Sequence, residues 1–173
     1  MYRLLAALSL LSLGVVCLAS TGAGLPPAPT LEDRIAGLTV APDLAGTMLS
    51  LERTMCFGFC PAYRVTVYGN GEVIWEGDQY VAVPGVRLAV ISQDQVRQLV
   101  AAFERTDYFA LKDQYTEYMV TDSPSAVTHF QRGGKGKTVD HYHGDLNAPR
   151  KLTTLEAQID EIVGTTQWIG QDR

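Results

Sequence analysis

The stretch "YRVTVYGNGEVIWEG", residues 63–77, constrains the fold more than any other segment of the chain. Tyr63, Val65 and Val67 alternate with Arg64, Thr66 and Tyr68, so an extended strand here has one apolar and one more polar face. Asn70 and Gly71 then supply residues that tolerate a left-handed backbone, and Val73 and Trp75 resume the alternation. Two alternating runs about such a turn predict a β-hairpin. Its apolar face needs a cover.

The rest of the chain offers that cover. "TMLSLERT" predicts a strand before the hairpin, and "YVAVPGVRLAVI" predicts one bent strand, or a second hairpin about Pro84-Gly85, after it. Ser92 and Gln95 form a capping-box pattern, in which each side chain satisfies the other residue's free amide. Val96, Leu99, Val100 and Phe103 then fall at i, i+3, i+4 and i+7, one apolar helix face, and Phe109 and Leu111 are expected to continue the core. "AVTHFQ" and "KTVDHYH" predict two more strands joined across "RGGKG". Pro149 suits a helix start, Leu152, Leu155, Ile159 and Ile162 mark its apolar face, and Gly164 ends it. The resulting order, β-β-β-α-β-β-α with short connections, predicts an α+β domain with a largely antiparallel sheet and helices packed on one face.

The N-terminus sets an expected compartment. Residues 1–20, "MYRLLAALSLLSLGVVCLAS", carry one cation, Arg3, and an apolar run from Leu4 to Ala19. That run is shorter than the roughly 20 apolar residues of a spanning helix, and small residues follow it. This pattern predicts a secretory signal peptide, residues 1–23, cleaved after Ala23 or, alternatively, after Ala19. Two rival readings are an uncleaved membrane anchor and a lipoprotein acylated at Cys17. Against the latter, Val16 stands where a small residue is usual, and Gly14 where a large aliphatic one is. Residues 24–46, with prolines at 26, 27, 29 and 42, predict a linker; residues 47–169 form the single expected domain, and 170–173 a tail.

Composition narrows the partners. At 46% hydrophobic and 19% charged, the chain is globular in character, and its formal charge of -5 includes no Lys/Arg block able to track a phosphate backbone. Nucleic acid is therefore not an expected partner. Cleavage after Ala23 removes Arg3 and no acid. Lys plus Arg then falls from 14 to 13 against 19 acids, a formal charge of -6. Cys17 leaves as well, so Cys56 and Cys60 remain.

An even cysteine count in an oxidising compartment favours pairing. A redox pair would need a stabilised thiolate, commonly obtained at a helix N-terminus, yet a proline and a β-alternating run follow Cys60. "CFGFCP" resembles the C-x-x-x-C-P copper motif of the Sco copper chaperones, though only over six residues and with a strand where that family has a helix. A copper or zinc site built from Cys56, Cys60 and a histidine, His141 or His143, is thus the alternative reading. A hairpin closed tightly about "GGKG" would set His129 opposite Asp140, facing away from His141. The favoured expectation is a structural disulfide, worth about 2 kcal/mol for so short a ring, with Gly58 easing its closure.

"LERTMCFGFCPAYRVTVYGNGEVIWEG", "ISQDQVRQLVAAFERTDYFALKDQY", "TDSPS" and "LTTLEAQIDEIV" with Trp168 together resemble the bacterial family called domain of unknown function 6438. The resemblance spans residues 48 to 169. Met55 and Phe59 stand where that family is expected to have smaller or polar residues. It implies a secreted or periplasmic α+β module, and no activity or catalytic residue. No G-x-S-x-G, H-E-x-x-H, P-loop or dinucleotide fingerprint occurs. Asp113, Asp122, Asp140 and Asp145 are the candidate acids, each equally suited to capping turns. The expectation is a non-enzymatic envelope protein without cofactor, binding another envelope protein or a small ligand. It would touch membrane only through a lipid anchor or uncleaved leader. Tyr108, Tyr115 and Tyr118 are the aromatics that could line its surface.

Overall fold

The computed structural model describes residues 28–117 and 122–170. The expected signal peptide, both cleavage points, Cys17, Tyr118 and residues 171–173 of the tail lie outside the described residues. Among the described residues, no helix is long and apolar enough to cross a membrane.

The α+β expectation holds. Strands β1 (Met48–Arg53), β2 (Tyr63–Tyr68), β3 (Glu72–Gly77), β4 (Gly85–Val90), β5 (Gln114–Tyr115), β6 (Ser125–Arg132) and β7 (Lys135–Tyr142) form one sheet, ordered β4-β3-β2-β1-β6-β7-β5. Every pairing is antiparallel except that of β5 with β7. Helix α1 (Leu31–Ala36) precedes the sheet, α2 (Gln93–Arg105) links β4 to β5, and α3 (Arg150–Val163) and α4 (Thr166–Ile169) follow β7.

Two features depart from the expected order. Four strands precede α2, because residues 80–84 leave the sheet direction and only Gly85–Val90 pairs with β3. The reason is a competing partner: the Ala82 and Val83 amides donate to the carbonyls of Ile169 and Trp168 at 2.9 and 3.0 Å. Second, β5 spans two residues, too few to show any period.

The β2–β3 hairpin forms as read, with Val65 opposite Trp75 and Val67 opposite Val73. Gly71 takes the left-handed position at φ 91°, and the Asn70 side chain accepts the Glu72 amide at 3.0 Å. Tyr63, Val65, Val67, Val73 and Trp75 are buried and join Leu49, Leu51, Phe130 and Val139 on the inward face. Val96, Leu99, Val100 and Phe103 of α2, with Leu152, Leu155, Ile159 and Val163 of α3, belong to the same cluster. Burying each such aliphatic or aromatic side chain contributes about 1.5–3 kcal/mol, against about 1 kcal/mol for a typical hydrogen bond. Packing, more than the ladder, therefore decides which face turns inward.

The Ser92 cap is as expected: its hydroxyl accepts the Gln95 amide at 3.2 Å while the Gln95 side chain accepts the Ser92 amide at 3.0 Å. Phe109 is a correction. It is 44% exposed, and its neighbour Tyr108 is buried instead, because a left-handed Asp107 at φ 52° turns the chain after α2. The segment expected as a linker contains α1 and ends in the core, where Leu44 is buried.

Candidate functional site

Nine residues, 54–62, connect β1 to β2, and the disulfide closes their centre. Cys56 and Cys60 are bonded, with Cα atoms 5.7 Å apart. The connection is moored at its start, where Ser125 donates its amide to the Thr54 hydroxyl at 2.8 Å and accepts the Thr54 amide at 2.9 Å. Gly58 is not left-handed, and a Cβ there would rest 3.6 Å from the Cys56 sulfur, an ordinary contact. The ring therefore does not demand glycine. The side chains it presents are apolar: Phe57 is 90% exposed, Phe59 85% and Met55 53%. Phe59 meets Tyr80 edge-on, with ring centres 5.3 Å apart. Beside this loop lies an open cleft of about 260 Å³, bordered by Arg53, Met55, Tyr63, Arg64, Glu76 and Asp78.

A second constellation lies at the end of β7. His141 on β7 and Glu156 on α3 meet in the interior, Nδ1 to Oε1 at 2.7 Å. His143, two residues on and so on the same side of the extended chain, reaches the other carboxylate oxygen through Nε2 at 3.1 Å. Its amide donates to the Pro124 carbonyl at 3.0 Å, prolonging the β6–β7 pairing by a step and fixing that direction. A Cβ on Gly144 would lie 2.4 Å from the Tyr142 ring, so a side chain there would have to displace that ring. Burial pushes the Glu156 carboxyl up, but the hydrogen bonds and charges of His141 and His143 outweigh it, leaving Glu156 below the ordinary carboxylate range. Asp145, beyond Gly144, accepts the amides of Asn147 and Glu117 at 2.8 and 3.1 Å. These bonds, with the charge of His141, hold its carboxyl low as well.

The alternative metal set of Cys56, Cys60, His141 and His143 is therefore rearranged. The sulfurs are spent on each other, and the two histidines gather around Glu156. His141 is buried, because β7 turns it to the same face as Val139. His129 does face away from His141, but its partner is Thr138, with Nδ1 2.9 Å from the hydroxyl. The expected register is off by two residues because Gly133 and Gly134, both left-handed, make the turn alone. A shift of two preserves which face each side chain takes.

The remaining candidates disperse. Lys137 donates to Asp113, the Asp122 carbonyl accepts the Phe57 amide, and Asp140 pairs across the ladder with Val127. Tyr108 and Tyr115 are buried, so neither offers a surface; the Tyr108 hydroxyl donates to the Thr128 carbonyl at 2.7 Å. Glu156 escaped the sequence reading. Its one signal was position, four residues after Leu152 and three before Ile159, a carboxylate on the apolar stripe of α3.

A seven-stranded, mostly antiparallel sheet with helices, opened at one end into a disulfide-closed aromatic loop, defines an α+β module. Residues 47–163 match the profile of the family described as Domain of unknown function (DUF6438), and the chain belongs to that family. A search of curated proteins finds no match.

Proposed function

We propose that the protein is an exported, non-enzymatic binding module of the bacterial envelope, and that the Cys56–Cys60 loop is its contact surface. The observation that carries this reading is the exposure of Phe57 and Phe59, 90% and 85%, on a covalently closed ring. Two phenyl rings left in water add none of the burial energy they could give the fold, so folding stability alone does not account for them. Exposed aromatics on a closed ring, next to a cleft bordered by Met55 and the charged Glu52, Arg64 and Asp78, have the composition of a protein-binding hot spot. The occupant that fits is an envelope protein with an apolar pocket. Export rests on the leader of residues 1–23 and on the oxidising compartment that a disulfide requires.

The test is a photo-crosslinking residue placed at Phe57 in cells, with the same residue at Arg87 on exposed β4 as control. Discrete protein adducts from position 57, absent from position 87 and lost in Phe59→Ser, are expected. Adducts to lipid alone, or the same adducts from both positions, would overturn the assignment. The mass of the same preparation reports export: cleavage after Ala19 or Ala23 and oxidised thiols are expected, whereas an intact leader with two free thiols in cytosol refutes it.

A further inference from the structure

We infer that His141, His143 and Glu156 form a binding site for one divalent transition-metal ion of the zinc or copper type. Each residue offers one ligand atom, and these atoms lie within 4.8 Å of one another. Two imidazoles and a carboxylate are a donor set that zinc takes readily, and the order of divalent affinities puts copper(II) above it on the same atoms.

Three observations support a cation here over a merely packed cluster. Glu156 is 1% exposed in the middle of α3, flanked on its face by Leu152, Leu155 and Ile159. Among the described residues, its ion-pair partners are the two imidazoles, with no Lys or Arg. A buried carboxylate is costly without a compensating positive charge, which a divalent ion held by the same imidazoles would supply. Second, the ligand atoms already stand close together. Tetrahedral ligands at zinc–nitrogen and zinc–oxygen distances of about 2.0–2.1 Å stand roughly 3.3 Å apart. Here the two imidazole nitrogens lie 2.7 and 3.1 Å from the two different oxygens of Glu156, and the set spans no more than 4.8 Å, so side-chain adjustment must draw it around one ion.

Third, the surroundings resemble those of a metal site. Asp145, two residues past His143, is buried and held in place by the amides of Asn147 and Glu117. Tyr115 closes the His141 side edge-on, with ring centres 6.5 Å apart. The His143 side chain is 29% exposed, so solvent reaches the cluster from that side and can complete the coordination. The ion would join β7 to α3 and lies apart from the Cys56–Cys60 loop, so this inference stands independently of the proposed binding surface.

The experiment is zinc titration by calorimetry on protein purified without a histidine tag and with its disulfide oxidised. Cobalt(II) absorption reports the geometry. One zinc per chain is expected, with a melting temperature that rises with zinc and returns on chelation. The cobalt spectrum should have the intensity of a four- or five-coordinate ion. His143→Ala, a partly exposed position, should weaken binding by more than about tenfold, as should Glu156→Gln. His129→Ala should leave it unchanged. If Glu156→Gln does not fold, His143→Ala alone decides the matter. No zinc bound at a hundredfold excess, or binding that survives His143→Ala, overturns the site and leaves a proton-balanced pair in its place.

Discussion

Arg53 on β1 and Asp160 on α3, 107 residues apart in sequence, are joined through one carboxylate oxygen by the Nε and Nη2 of the guanidinium at 3.0 and 2.7 Å. The other oxygen accepts the Tyr63 hydroxyl at 2.6 Å and the Thr165 hydroxyl at 2.8 Å. One aspartate thus ties two strands and the turn after α3 together. Arg53 and Asp160 are 22% and 20% exposed, too shielded for water to replace the lost partner fully. Asp160→Asn keeps the shape and removes the charge, leaving Arg53 uncompensated. The expected loss is about 2–3 kcal/mol, read by urea unfolding. A loss under half a kcal/mol would mean that this bridge only decorates the fold.

Alkaline titration gives a second test. Burial, followed by the nearby negative charge of Asp160, raises the Tyr63 phenol far above its ordinary 10.0, and Arg53 only partly opposes this. Burial likewise raises Tyr108, against the opposing bond to Thr128. A phenol whose folded value is raised contributes stability that is complete below the unfolded value and disappears as pH climbs toward the folded one. Stability should therefore fall once pH passes about 10. Tyr63→Phe should flatten that fall while weakening the protein by about 1 kcal/mol at neutral pH. Phenolate absorbance at high pH should show two groups that ionise only on unfolding. Full ionisation of the native protein near pH 10 would contradict the buried network.

The local devices were legible because their causes are local. Ser92 and Gln95 cap α2 whatever packs above them, and the alternation from Tyr63 to Trp75 sets a strand pair without outside information. Face parity survived even where register did not, as His129 and His141 show. What stayed hidden depends on distant partners. Glu156 becomes a site only because β7 sets two histidines opposite it. The outward turn of Phe57 and Phe59 depends on where the nine-residue connection is moored, at Ser125 of β6. No window of sequence contains either relationship.

The disulfide is expected to brace a loop and not to hold the domain together. Its ring closes only five residues, 56–60, so the entropy it removes from the unfolded chain is small. Replacing both cysteines with serine should lower stability by about 2 kcal/mol or less and preserve the sheet by circular dichroism. The same change should raise proteolytic cutting at Phe57 and Phe59. A global collapse of structure would show that the loop organises β1 and β2, a larger role than its length supports.

The approach to the sheet from residues 40–46 carries the last prediction. Gly69, in the β2–β3 turn, donates its amide to the Thr47 carbonyl at 2.9 Å. A Cβ on Gly69 would come 2.1 Å from the Leu44 carbonyl oxygen, with Val40 at 3.3 Å behind it. Backbone atoms cannot swing aside as a side chain can, so Gly69→Ala must lift this segment and unseat Leu44 from the core. The expected cost is about 1–3 kcal/mol, seen as a lower urea midpoint. Gly136→Ala is the control: its Cβ would meet only the His129 ring at 3.6 Å, an ordinary contact. It should change stability by no more than about 0.5 kcal/mol. Equal stability of the two variants would show that residues 40–46 do not pack over the turn in solution. Leu44 would then add nothing to the core it enters.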